Sequence, residues 1–201
     1  MKNLLPDLDY HARERLSTAI LDIFPKNSYN VPMNDALKQE LAQEISLLCL
    51  PRYAQLPNMG LYLEQAVQYI NQCLKPLGCM EITGSMVRNY VKMNLIEHPV
   101  KKRYYANQIA HIICVTLLKH VMELEHIGRF FAMQSKVYTD QVAYDYFCSE
   151  LENVLFHRFG LQDSIENVGV TQSQEKEMLR SAITAVSHII YVNACLRNLD
   201  K

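Results

Sequence analysis

The stretch TGSMVRNYVKMNLI, residues 83–96, determines the architecture of the middle of the chain. Thr83 is a helix N-cap residue, because its hydroxyl can accept a hydrogen bond from a backbone amide of the first turn. Asn94 tolerates the left-handed conformation in which many helices end. The stretch therefore predicts a helix of about three turns over residues 84–93. Arg88 and Lys92 lie four residues apart and share one face of it.

Hydrophobic periodicity predicts further helices on both sides of this stretch, because apolar residues recur at steps of three and four. No segment alternates as a strand would, so we expect an all-α protein with at most a two-stranded hairpin near residues 95–105. Three regions are expected: a helical pair over 1–57, a central domain over 58–136 and a helical region over 137–201. The predicted helices cover residues 10–24, 35–50, 61–75, 107–122, 124–134, 140–159 and 173–199.

The composition excludes several classes of protein. The chain has 201 residues and six glycines, none of them in the spacing of a phosphate-binding loop. Nucleotide-binding folds need such glycines, because backbone amides must approach the phosphates closely, so no cofactor is expected. The six cysteines stand singly, which is typical of free thiols. The first ten residues lack the apolar run of a secretory signal, and residues 109–121 are too few to span a bilayer. We therefore expect a cytoplasmic protein without a membrane segment.

Positive charge is concentrated in one segment, although the whole chain has a formal net charge of −1. Residues 81–105 carry five Lys or Arg against two Glu, whereas residues 138–201 carry nine acidic residues against five basic ones. A basic segment on an otherwise acidic chain is typical of a nucleic-acid-binding module joined to an effector region. The predicted order of helix, turn, short helix, basic loop and long apolar helix is that of a helix-turn-helix with a small wing.

The residues of this segment resemble the winged helix-turn-helix of the MerR regulators. In that family a Ser or Thr cap precedes a Leu-Arg-Tyr-Tyr-type helix, a Gly-Leu-Leu exit, a proline and an arginine-rich wing that ends in Tyr. Here Arg88 and Tyr90 match the Arg and the second Tyr, Asn94 matches the glycine, and Tyr104 matches the wing tyrosine. The similarity covers residues 61–134. It implies a transcriptional regulator that binds DNA as a dimer.

The sequence of residues 82–92 and 101–104 is more similar still to that of a bacterial family catalogued as a domain of unknown function and regarded as MerR-like. That resemblance implies the fold and no established activity. The chain departs from the MerR pattern in the wing, because only seven residues separate Ile96 from Tyr104 and the Gly-Tyr-Arg of the wing is missing.

The resemblance and the helix pattern together indicate the residues that would contact duplex DNA. Residues near the N-terminus of the 84–93 helix would approach base edges, as in other helix-turn-helix proteins. The partial positive charge of that helix end would attract phosphates, and the wing cations would add a salt-sensitive contribution. The candidate residues are Thr83, Ser85, Met86, Arg88, Asn89, Lys92, Lys101, Lys102, Arg103 and Tyr104.

Simpler interpretations accompany these assignments. Arg88 and Lys92 would form a solvated helix face if no DNA were bound, and residues 101–103 would then be a solubilising turn. Tyr90 and Tyr104 are expected to pack in the core of the small domain, with base stacking as the alternative. A protein-interaction module that keeps the fold without binding DNA is the second hypothesis for the whole chain.

The C-terminal region gives the remaining expectations. An apolar stripe would form the seam of a homodimer, and the aromatic residues of 138–159 would be core or line the pocket of a small-molecule effector. His120, Glu123 and His126 do not converge on one ion, so no metal is expected. No catalytic motif is present and no titratable groups converge, so an enzyme is not expected. The stripe consists of Leu179, Ile183, Val186, Ile190 and Leu196.

Overall fold

The computed structural model describes residues 35–78, 80–169 and 173–199, and the regular structure within them is helical. No strand is present in these ranges beyond two isolated antiparallel bridges, Leu61 with Tyr104 and Val100 with Arg103. The prediction of an all-α protein is confirmed. The helix predicted over 10–24 lies outside the described residues. The described helices are α1 (Asp35–Ser46), α2 (Leu63–Leu74), α3 (Gly84–Lys92), α4 (Ala106–Leu118), α5 (Leu124–Gln134), α6 (Asp140–Arg158) and α7 (Gln174–Leu199).

The turn between α2 and α3 follows from local sequence signals. A 3₁₀ turn, Lys75–Leu77, ends α2, and Gly78 then adopts a left-handed conformation with φ of 71°. This left-handed conformation favours glycine, and the guanidinium of Arg197 in α7 lies close to the position that a side chain at Gly78 would occupy. Thr83 caps α3, and Asn94 is left-handed just beyond its end, as predicted.

Helix α4 forms the centre of the core. Its apolar side chains are buried on almost every side, which is the pattern of a helix enclosed by other helices. It ends at Leu118, four residues before the predicted end. The chain continues in a turn, in which the amide of Val121 bonds to the carbonyl of Leu118 at 3.0 Å. Glu123 is then extended and precedes α5, so residues 119–122 form a connection between two helices.

Helix α7 packs mainly against α6, and this packing corrects the predicted dimer seam. Leu179, Ile183, Val186 and Ile190 are at most 2% exposed, because they pack inside the protomer and are not available to a second copy. Leu196, by contrast, is 54% exposed. At 100° per residue, a position six residues after Ile190 has rotated off the stripe, and Ala194 takes its place on the inner face.

Hydrogen bonds and an ion pair join residues 50–53, which precede α2, to helix α6. The Glu152 carboxylate accepts from the backbone amide of Leu50 at 2.8 Å and pairs with the Arg52 guanidinium at 2.6 Å. The hydrogen bond to Glu152 raises the pKa of Arg52, against the opposing effect of its burial. The Asp145 carboxylate accepts from the backbone amide of Tyr53 at 2.7 Å. These bonds fasten residues 50–53 to one side of α6.

One described helix is long and apolar enough to cross a membrane when only its length and composition are considered. It is residues Gln174–Asn198 of α7. Its inner face packs against α6, as in the core helix of a globular domain. The cytoplasmic location remains a prediction.

Candidate nucleic-acid interface

A side chain of α2 fixes the point at which α3 begins. The Asn71 side chain donates from Nδ2 to the carbonyl of Ile82 at 3.0 Å and accepts at Oδ1 from the amide of Ile82 at 2.8 Å. Ile82 itself is buried. The residue before the Thr83 cap is therefore held on α2 by two hydrogen bonds. Sequence reasoning missed Asn71, and its only signal was a polar side chain with no assigned role on an otherwise amphipathic helix.

The N-terminus of α3 is exposed and carries no acidic residue in its first turn. The hydroxyl of Thr83 accepts from the amide of Met86 at 3.3 Å and lies 2.8 Å from the hydroxyl of Ser85. Helix geometry leaves the amides of Gly84 and Ser85 without an acceptor inside the helix. Together with the helix dipole, these two amides make the end of α3 attractive to an anion.

Helix α3 separates its buried residues from its charged ones. Val87, Tyr90 and Val91 face the core, as predicted for Tyr90, whereas Arg88 and Lys92 are exposed. The outer face is completed by Asn89, whose Nδ2 lies 3.5 Å from the Sδ of the exposed Met93.

The side chain of Arg88 extends back toward the N-terminus of its own helix. A methyl group placed on Gly84 would lie 3.5 Å from Nη1 of Arg88. Helical side chains commonly lean in this direction. The charge of Arg88 also reaches Tyr104: burial raises the pKa of the Tyr104 hydroxyl, and the Arg88 guanidinium acts in the opposite direction. Arg88 therefore connects the start of α3 with the hairpin described next.

Residues 100–104, here called the basic hairpin, present two lysines at their tip. Val100 and Arg103 exchange backbone hydrogen bonds of 3.0 and 2.9 Å around Lys101 and Lys102. Both lysines are exposed and left-handed, with φ of 51° and 65°. Two consecutive left-handed residues define a type I′ turn, which prefers Asn-Gly, so lysine side chains here hold the backbone in an unfavourable conformation.

The other two hairpin residues expected to contact DNA, Arg103 and Tyr104, make contacts inside the protein. The Arg103 guanidinium donates to the carbonyl of Gly60 at 3.0 Å and to the hydroxyl of Tyr62 at 3.2 Å, and it lies 4.5 Å from the centre of the Tyr62 ring. The Tyr104 side chain is only 4% exposed, and its backbone pairs with Leu61 through two hydrogen bonds of 2.8 Å. Tyr104 therefore packs in the core and cannot contact DNA with its ring, and Arg103 fastens the hairpin to residues 60–62.

The structure thus leaves nine of the ten expected residues exposed or partly exposed, and one of these nine, Arg103, is held against residues 60–62. Three of them, Thr83, Ser85 and Met86, lie at the start of α3, and Arg88, Asn89 and Lys92 follow on the same helix. Lys101 and Lys102 occupy the hairpin tip. The exposed cations and the free end of α3 suit a polyanionic ligand, because they supply charge and backbone donors without a neighbouring carboxylate in the first turn.

Comparison with known families adds one finding. Residues 51–147 match the model of a family described as a domain of unknown function, DUF1836. The matched segment contains α2 to α5, the basic hairpin and the beginning of α6. It therefore includes all ten candidate DNA-contact residues and Asn71. It is also wider on both sides than the predicted central region 58–136, and it encloses the bond between Tyr53 and Asp145. Neither the curated proteins nor the solved structures give a match.

Proposed function

We propose that this protein binds double-stranded DNA through the N-terminal half of α3 and the basic hairpin, as a transcriptional regulator with a MerR-like winged helix-turn-helix. The observation that carries the proposal is the position of Arg88. Its guanidinium lies near the exposed N-terminus of its own helix, and its charge also acts on the hydroxyl of Tyr104 in the basic hairpin. An arginine, two free amides and a helix dipole at one point make a phosphate site.

In this proposal the phosphate contacts orient α3 in the major groove. Arg88 and Lys92 bind the backbone of one strand, which places Ser85, Met86 and Asn89 near base edges. Lys101 and Lys102 bind phosphates beside the groove, in the role of the wing. The unfavourable backbone at these two lysines supports this role, because such strain is commonly retained where function needs the side chains.

A dimer would match the two half-sites of a palindromic operator. We propose that the second copy docks on the outward face of α7. Residues on this face follow one another at alternating steps of four and three, the heptad spacing of a coiled-coil seam. No Lys, Arg, Asp or Glu occurs between Arg180 and Arg197, so no like charges oppose the pairing. The face consists of Met178, Ala182, Ala185, Ile189, Val192 and Leu196, of which Met178, Val192 and Leu196 are 43%, 52% and 54% exposed.

The dimer is tested by Val192→Glu, which places a charge in the middle of the seam. Light scattering after gel filtration should show a dimer for the natural protein and a monomer for this variant. Val142→Glu is the matched control, because Val142 is equally exposed at 53% but lies on α6. A natural protein that is monomeric at all concentrations would contradict the dimer.

DNA binding is tested by neutralising three proposed phosphate contacts in Arg88→Ala with Lys101→Ala and Lys102→Ala. The slope of log affinity against log salt should fall by about 2 to 3, because each phosphate contact releases counterions. Affinity near 150 mM salt should fall at least about tenfold. The charge-matched control replaces three exposed cations elsewhere, Lys38, Arg129 and Lys136, by alanine.

The first experiment is a selection of genomic DNA fragments with the purified protein. Enrichment of a palindromic site, lost in the triple variant but kept in the control, would support the proposal. Unchanged affinity and slope in the triple variant would overturn it. If no fragment is enriched while the protein remains folded and dimeric, the alternative becomes the better one: a helical module that keeps this fold and binds a protein partner.

A further inference from the structure

A cavity of about 430 Å³ lies between α4, α5 and the first turns of α6. It reaches residues 94–98, the segment that connects α3 to the basic hairpin, and Leu179 of α7 closes one side. This volume lies within the range of small-molecule sites in proteins.

Aromatic side chains form one part of the cavity wall. Phe131, Tyr144 and Phe147 line it, and the imidazole of His111 stacks on the Phe131 ring with centroids 5.0 Å apart and planes inclined by 29°. Phe147 is fully buried and Tyr144 is 3% exposed, so these rings form a fixed wall rather than a loose surface. Such a wall suits a flat apolar group.

The charged groups of the cavity are acidic. Asp140 and Glu97 line it, and no Lys or Arg is among the described residues that do. His111 does not supply a cation, because burial lowers its pKa although both carboxylates act in the opposite direction. Its Nε2 lies 3.8 Å from the Asp140 carboxylate. The part of the cavity that Asp140 and Glu97 line therefore carries negative charge, and apolar residues line other parts of its wall.

Two further groups favour binding over nucleophilic chemistry. The Tyr144 hydroxyl is buried and has no oxygen or nitrogen hydrogen-bond partner among the described residues. It interacts with the Cys148 thiol, and because sulfur is a weak acceptor, a ligand with a better acceptor can compete for its proton. Cys114 lines the same cavity, but burial raises the pKa of its thiol well above the ordinary value, so the thiol stays protonated and unreactive.

We propose that this cavity binds a small aromatic amine, with its ring against Phe131, Tyr144 and Phe147 and its ammonium group at the Asp140 carboxylate. The aromatic residues of the wall account for the ring. The two carboxylates, with no Lys or Arg among the described lining residues, account for the positive charge. The binding of this amine is measured without DNA.

The test uses three indoles of similar size: tryptamine, which is cationic, 3-ethylindole, which is neutral, and indole-3-propionate, which is anionic. The protein contains no tryptophan, so the fluorescence anisotropy of each indole reports its own binding. Tryptamine should bind at least about tenfold more tightly than 3-ethylindole, and indole-3-propionate should bind most weakly. No saturable binding of tryptamine, or equal affinities for the three probes, would overturn the proposal.

Two variants locate the site. Asp140→Asn keeps the size of the side chain and should weaken tryptamine about tenfold without changing 3-ethylindole, whereas Ala143→Leu fills the cavity and should weaken both. Asp163→Asn removes an exposed carboxylate outside the cavity and serves as the control. Equal effects of Asp140→Asn and Asp163→Asn, in variants that melt like the natural protein, would overturn the assignment.

Coupling of this site to DNA rests on the proposed function. Because residues 94–98 line the cavity and directly follow α3, an occupied cavity should change DNA affinity. Tryptamine binding is measured without DNA, so the two ideas fail separately. A protein that binds tryptamine through Asp140 but no DNA would overturn the proposed function and leave the ligand site in place.

Discussion

Helices α3 and α6 begin with the same cap but differ in the charge of the first turn. Thr83 accepts from the amide of Met86 at 3.3 Å, and Thr139 accepts from the amide of Val142 at 3.4 Å. The first turn of α3 has no acidic residue, whereas α6 places Asp140 directly after its cap. The backbone geometry is shared, so the side-chain charge determines what each helix end can bind. The Asp140 carboxylate compensates the positive end of the α6 dipole, whereas the positive end of the α3 dipole remains available to a phosphate.

The largest expected effect comes from giving α3 the charge pattern of α6. Ser85→Asp places a carboxylate in the first turn of α3, where it should lower DNA affinity by more than tenfold through repulsion of the phosphates. The free energy of unfolding should change by no more than about 0.5 kcal/mol, because an acid near a helix N-terminus is favourable. Fluorescence titration of a selected fragment and urea unfolding measure the two quantities.

Gln141→Glu is the matched control for this change. It adds an acid at the corresponding exposed position of α6 and should leave DNA affinity unchanged. An equal loss of affinity in both variants would mean that net charge, rather than the end of α3, governs binding.

The basic hairpin should show a conflict between stability and DNA binding. Lys101→Asn with Lys102→Gly supplies the residues that a type I′ turn prefers and should raise the free energy of unfolding by about 1–2 kcal/mol. The same change removes two cations, so the salt slope of DNA binding should fall by about 1.8. Thermal unfolding and salt titration test the pair. A less stable variant would contradict the strained turn.

The two caps should contribute similarly to stability. Thr83→Ala and Thr139→Ala should each lower the free energy of unfolding by about 1 kcal/mol, and Thr→Ser at either position should restore most of it. Only the change at Thr83 should also weaken DNA binding. Denaturant unfolding of the four variants provides the measurement, and a loss confined to one cap would show that the two helix ends differ in more than charge.

The sequence predicted local features of both regions well. The Thr83 cap, the left-handed Asn94 and the bounds of α2 and α3 follow from residues within a few positions of one another. The features that it could not predict depend on contacts between distant residues. The sequence predicts that Arg103 contacts phosphates, because nothing local shows that Gly60 and Tyr62 lie opposite it.

The cavity illustrates the same limit. Glu97, His111 and Asp140 are spread over three separate elements, so the sequence showed no convergence of titratable groups, whereas the fold brings all three to one wall. Helix α7 adds an ambiguity of another kind. It carries two apolar faces, and periodicity alone did not show that the face with Leu179 packs inward and the face with Val192 remains exposed.

The smallest expected effects come from two tyrosines, one on each helix. The hydroxyls of Tyr90 on α3 and Tyr144 on α6 are buried without an oxygen or nitrogen partner among the described residues. Burying an unpaired hydroxyl is unfavourable, so Tyr90→Phe should leave the free energy of unfolding unchanged or raise it by up to about 1 kcal/mol. Tyr144→Phe should leave it nearly unchanged, because the Tyr144 hydroxyl has only the Cys148 thiol, a weak acceptor, as a partner. Tyr138→Phe should lower it by about 1 kcal/mol, because the Tyr138 hydroxyl lies 3.1 Å from that of Ser173. The two neutral variants then differ in function: Tyr144→Phe should weaken tryptamine binding, whereas Tyr90→Phe should not, because Tyr144 lines the cavity and Tyr90 does not. A clear loss of stability in Tyr144→Phe would mean that its hydroxyl is already satisfied inside the protein, and the cavity would then lose its donor.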